Sequence, residues 1–78
     1  MPTVLRIGPY RFYFYSHEPN EPPHVHVDRE LCSAKFWLKK IALADNIGFN
    51  NKELNKLHEL VSDHQTQFLD KWHEYFGA

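Results

Sequence analysis

Cysteine is almost missing from this chain. Cys32 stands alone, so neither an internal disulfide nor a multi-cysteine metal site can form. Long apolar runs are missing too. The opening MPTVLRIGPYRF lacks a signal-peptide core, and no segment approaches the roughly 20 apolar residues of a membrane span. The expectation is a cytoplasmic protein with no membrane partner. Nor is there an excess of charge of one sign: nine basic against ten acidic side chains leave a net charge of −1, which is no electrostatic footprint for nucleic acid. Six of the basic residues and four of the acidic ones precede Ile41, so the N-terminal half is mildly basic; ordinary solvated charges are the expectation, with an acidic partner as the alternative.

What the chain does have is aromatic area. Six Phe, four Tyr and two Trp among 78 residues supply large apolar surface per side chain. A chain this short buries only a little over ~60% of its unfolded surface, so it is read as a single domain over residues 1–78. With no room for a separate substrate domain, an active site would be a shallow groove or lie at a partner interface.

Residues 3–7 (TVLRI) and 10–16 (YRFYFYS) read as a hairpin around the Gly8-Pro9 turn. Alternation puts Tyr10, Phe12 and Phe14 on one face and Arg11, Tyr13 and Tyr15 on the other. A loop, HEPNEPP, follows, and His17 within it is expected to be solvated. Pro23 has no N–H to give and biases Pro22 toward extended backbone, so residues 24–28 (HVHVD) continue as strand. Val25 and Val27 take one face; His24, His26 and Asp28 take the other. After a turn at 29–32, SAKFWLK alternates again over 33–39. The sheet, within residues 1–40, is expected to be mainly antiparallel with about four strands. Residues 41–49 read as a connecting loop.

The remainder reads as a long helix over 50–76. Asn50 is a good N-cap, and Glu53 completes a capping-box-like pattern. Leu54, Leu57, Val61, Phe68, Leu69, Trp72, Tyr75 and Phe76 share one stripe, and Gly77 stops the helix. Unbroken, it would span about 39 Å, more than the ~25–30 Å width of so small a domain. Either it breaks near Ser62-Asp63 or its end overhangs and packs on a second copy, as in a homodimer; a continuous or kinked helix is the expectation. His58 and Gln65 interrupt the stripe and His64 borders it, so partners are needed there; the sheet histidines are candidates. The fold class is α+β, a small sheet under a long C-terminal helix.

His24 and His26, two apart on a strand, share a face with Cα atoms about 6.5–7 Å apart. Three readings stay open. The pair binds a divalent transition metal, with His64, His58 or Glu30 as third ligand. Or one imidazole is a general base and another a general acid, with Arg29 or Lys35 stabilising a charged transition state, the set that metal-independent RNA cleavage requires. Or the pair fixes packing through hydrogen bonds. His73 points off the stripe and is expected to be solvated. Tyr13 and Tyr15 beside Arg11 offer a stacking surface for RNA bases or a docking face for protein.

The opening MPTVLRIGPYRFYFYS, the block EPPHVHV, then AKFWL, GFNNKEL and LDKWHEYF, together resemble the bacterial family catalogued as domain of unknown function 4160. The likeness covers nearly the whole chain, and EPPHVHV is its most specific element. The family pattern singles out Pro22, Pro23, His24 and His26, together with a helix histidine and a tryptophan that match His64 and Trp72. Gln65-Thr66-Gln67 stands where relatives tend to carry charged residues. Members are often encoded beside another very small protein, an arrangement similar to toxin–antitoxin pairs. The resemblance therefore implies a component of such a module that binds a small protein partner; joined to the acid–base reading of the histidines, the expectation is a histidine-lined RNA- or phosphate-binding site on that component.

Overall fold

The tightest constraint on this chain is the need to bury its alternating aromatics. In the computed structural model, which describes residues 3–15 and 20–77, the described strands form one antiparallel meander in the order β1 (Thr3–Ile7), β2 (Tyr10–Tyr13), β3 (His24–Arg29), β4 (Cys32–Trp37) and β5 (Ala42–Ile47). Two helices follow, α1 (Asn51–Asp63) and α2 (Gln65–Phe76). The architecture is α+β. Among the described residues, no helix is long and apolar enough to cross a membrane.

The alternation read from the sequence is realised. Tyr10, Phe12 and Phe14 join Val25, Val27, Ala34 and Phe36 in the core under the helices. From the helix side come Leu57, Val61, Phe68 and Trp72. The layers meet ring to ring: Phe68 lies 5.2 Å from Phe12, and Trp72 lies edge-on to Phe14 at 5.3 Å. His17 lies outside the described residues.

Two expectations need correction. Residues 42–47 form a fifth strand rather than a loop. Its pattern was weak because it lies at the sheet edge, where neither face is deeply covered: Leu43 and Ile47 stay largely exposed, and its pairing with β4 carries an irregularity at Lys35/Phe36. Gly48 turns the chain out of β5 at φ +93°, and a Cβ there would fall 2.9 Å from Cys32 Sγ, so only glycine fits. The long helix is also two segments, joined at His64 (φ −110°, ψ 16°). The His64 ring Nδ1–H donates to Leu60 O at 2.9 Å, while its backbone N–H reaches the same carbonyl at 3.2 Å. A side chain thus competes for an i−4 carbonyl and bends the helix. The longest extent of the molecule is 34 Å, less than a straight run would need.

The polar gap in the helical stripe is also closed differently from expectation. Gln65 Nε2 donates to Leu38 O at 2.7 Å and to Lys39 O at 3.1 Å. His58 Nε2–H points to Ile41 O at 3.3 Å. The partners are carbonyls of the β4–β5 turn, not sheet histidines. Of these bonds, that of Gln65 to Leu38 O is part-buried, where an unmade bond would cost most.

At the other end, Asn50 caps α1 by accepting from the Glu53 N–H at 2.9 Å. The Glu53 carboxylate does not complete the capping box. It takes a two-pronged hydrogen bond from Arg29, through Nε and Nη2, and one from the Tyr10 hydroxyl at 2.9 Å. These bonds, from Arg29 foremost, hold the Glu53 pKa below the ordinary 4.5. A depressed carboxylate pKa stabilises the fold above the unfolded value and ceases to do so as pH falls through the folded one. Glu53→Gln should therefore melt at a lower temperature than wild type at pH 7, and the gap should close as pH is taken below 4. A gap that persists unchanged in acid would show that the ion pair does not tie β3 to α1.

Candidate functional site

The double proline delivers His24 to the first position of β3. Leu38 N–H donates to Pro23 O at 3.0 Å, which extends the β3–β4 ladder backwards and leaves Pro22 O for the His24 ring. His24 Nδ1 lies 2.9 Å from that carbonyl. A carbonyl only accepts, so Nδ1 carries the proton. Placed at the end of the sheet, the ring touches aromatics of both layers: Trp72 of α2 at 5.0 Å and Trp37 of β4, edge-on, at 5.8 Å. His24 is fully buried, at 0% exposure.

His26 is its neighbour, with ring centroids 5.1 Å apart and planes near perpendicular. It occupies the outer face of the sheet, the face away from the helices. Tyr13 stacks on it at 5.4 Å, and Tyr15 meets it edge-on at 4.4 Å. Its exposure is 9%. The Tyr13 hydroxyl donates to Asp28 Oδ1 at 2.9 Å; burial first, then the hydrogen bonds with Tyr15 and Asp28, push the phenol pKa well above its usual 10. Among the described residues, every buried side-chain nitrogen and oxygen has a hydrogen-bond partner.

The other residues singled out from sequence are scattered. Lys35 is the register partner of His26, so the two are brought together; its ammonium pairs with Glu21 and lies 4.8 Å from the Trp37 ring centre. Arg29 goes elsewhere. It shares the parity of Val25 and Val27, so it emerges on the helix face, about 16 Å along the strand from His24, and is engaged by Glu53. Parity alone would have placed it there. His64 sits at the helix bend, bonded to Leu60 O and 6.1 Å from Phe68. Glu30, in the β3–β4 turn at φ 54°, is exposed. Among the described residues, no three His, Cys, Asp or Glu side chains gather as a metal site requires.

Open space lies elsewhere. A cavity of about 430 Å³ is lined by Phe36, Leu43, Leu54 and His58 among others. Another, of about 290 Å³, lies between Pro22, Pro23, Trp37, Lys39, Lys40 and Ala42. Neither is lined by His24 or His26. Trp37 and the two lysines carried no functional reading in the sequence, because Trp37 there is only one member of an alternating strand.

The residues in these positions match the family model described as Domain of unknown function (DUF4160) over 10–73. The chain belongs to that family. The match takes in β2 to β5, α1 and most of α2, and so the whole histidine–tryptophan cluster. No curated protein and no solved structure matches the chain.

Proposed function

We propose that this DUF4160 chain is the binding component of a cytoplasmic, toxin–antitoxin-like pair, and that it engages a small protein partner along the open margin of its sheet. The observation that carries the reading is the β5 edge. In the strand order, β5 has β4 on one side and no described strand on the other. Three of the large apolar side chains left in solvent belong to this margin: Leu31 at 96%, Leu43 at 44% and Ile47 at 61% exposure. Ile47 registers with Ser33, two residues from Leu31. A strand edge bordered by apolar side chains accepts an added strand through main-chain hydrogen bonds and side-chain pockets, and left bare it is a liability. The burial of His24 and its bond to Pro22 O support a packing role for that residue.

The test uses isothermal titration calorimetry with a very small protein taken from this chain's own genetic neighbourhood, the arrangement the family resemblance implies, purified by itself. Leu43→Lys with Ile47→Lys puts two charges on the edge without touching the core. Affinity should fall at least about tenfold while the melting curve stays close to wild type, since surface changes of this kind move stability little. Unchanged affinity would remove β5 as the docking edge.

A second reading rests on His26. It faces Lys35 across the strand pair and lies at the edge of Tyr15, which puts an imidazole, an ammonium and a phenol on one surface. RNA is the target that such a set would suit.

A further inference from the structure

The corner where β4 turns into β5 carries a site of its own. It is a cleft lined by Trp37, half-buried, and by Pro22, Pro23 and Ala42. The Lys39 and Lys40 stems complete the lining, with both residues exposed. Lysine stems line apolar surface while their ammonium heads stay in water, so the cleft is apolar within and cationic at the rim. Neither lysine forms an ion pair with a described residue. Lys35, by contrast, is neutralised by Glu21.

This corner is held in advance of any ligand. Pro23 O fixes Leu38 N–H, Gln65 fixes the Leu38 and Lys39 carbonyls, and His58 reaches Ile41 O. The turn that bears the two lysines is thus tied to β3, α1 and α2. The Trp37 indole is held edge-on by His24 and approached by the Lys35 ammonium. A preorganised aromatic plate loses little entropy when a ring is laid on it.

We propose that this cleft binds one nucleotide, with the base stacked on Trp37 between the prolines and the phosphate held by Lys39 and Lys40. The volume, about 290 Å³, lies at the small end of small-molecule sites and suits one planar ring system, with the rest of any longer ligand lying outside. Stacking on an aromatic side chain is tolerant of base identity, and the paired ammonium groups select an anion. A polyproline-type peptide is a poorer fit, because such ligands need a longer groove with several aromatic ridges, and here the prolines belong to the protein. The site is independent of the proposed docking edge: the Leu43→Lys, Ile47→Lys protein should retain it.

The same nucleotide chemistry is presented by a free mononucleotide and by a single RNA strand, and two titrations separate them. Adenosine 5′-monophosphate is followed by the chemical shifts of the Trp37 indole N–H and of the Lys39 and Lys40 amides, with adenosine and inorganic phosphate as controls. A fluorescein-labelled eight-nucleotide oligoadenylate is followed by anisotropy at low and moderate salt. Saturable shifts with the mononucleotide, weaker with adenosine, establish a free-nucleotide site. Saturation only with the oligonucleotide, weakening with salt, establishes a strand site. In either case Trp37→Leu should reduce affinity by about tenfold or more. Lys39→Gln with Lys40→Gln should weaken the nucleotide and leave adenosine unchanged; both lysines are exposed, so this variant tests the site even where Trp37→Leu perturbs the fold. No saturable binding of either probe would overturn the proposal. So would affinities that ignore all three substitutions, or a cleft that takes an acidic proline-rich peptide in place of the nucleotides.

Discussion

Trp72→Ala should lose about 3–5 kcal/mol of folding stability, the range for removing a large aromatic from a packed interior. Trp72 is 3% exposed and meets Phe14, His24 and Phe76, the last at a ring distance of 4.1 Å. It is the place where α2 clamps the sheet's histidine end. The substitution would leave a cavity bounded by rigid rings that cannot collapse into it, which is the costly case. In a domain whose total stability is of order 5–15 kcal/mol, the loss is a large fraction. Urea denaturation followed by circular dichroism should show the midpoint falling steeply, with Trp72→Phe recovering much of it. A midpoint equal to wild type would mean that α2 does not depend on this contact.

The second large effect is expected at His24. His24→Ala should destabilise by about 2–4 kcal/mol, combining a cavity between two tryptophans with loss of the hydrogen bond to Pro22 O. His26→Ala should cost clearly less, since that ring lies on the outer face against Tyr13 and Tyr15 and not between the layers. The contrast is the informative part. Two residues with one spacing and one chemical identity are given different work by a two-residue step along a strand. If both variants melt alike, the asymmetry is wrong. If His26→Ala stays folded, still binds the small partner and yet abolishes an RNA-directed effect on cell growth, the second functional reading moves ahead of the first.

How much of this was legible in the residues varies with the physics of each element. The faces of β2 and β3 were readable because alternation is strict wherever one face must be buried: Phe12 opposes Val27 and Tyr13 opposes His26 in the register. The helical stripe from Leu57 to Trp72 was readable for the same reason at a period of 3.6. β5 was not, because an edge strand with Asp45 and Asn46 at its centre buries too little to impose a pattern. The helix bend was foreseen near Ser62-Asp63 as an alternative, but it falls at His64, where a ring nitrogen shares the Leu60 carbonyl with the backbone N–H. That depends on a rotamer rather than on composition. Glu53 looked like half of a capping box; its reach to Arg29 depends on how β3 and α1 cross, which no local pattern encodes. The pairing of His24 with His26 was plain from the spacing. That one ring would be enclosed by Trp37 and Trp72 required knowing where α2 lies.

The central claim is that the most conspicuous motif in the chain is architecture at His24, and that binding takes place on other surfaces. Carbethoxylation of histidines by diethyl pyrocarbonate, mapped residue by residue by mass spectrometry, tests it directly. His58 and His73 are exposed and should react readily in the native protein at neutral pH. His24 should stay unmodified until urea unfolds the chain, and its reactivity should then rise along the same curve as the loss of circular dichroism. Modification of His24 in the native protein at the rate of His73 would contradict the account and return that imidazole to the list of groups a substrate can reach.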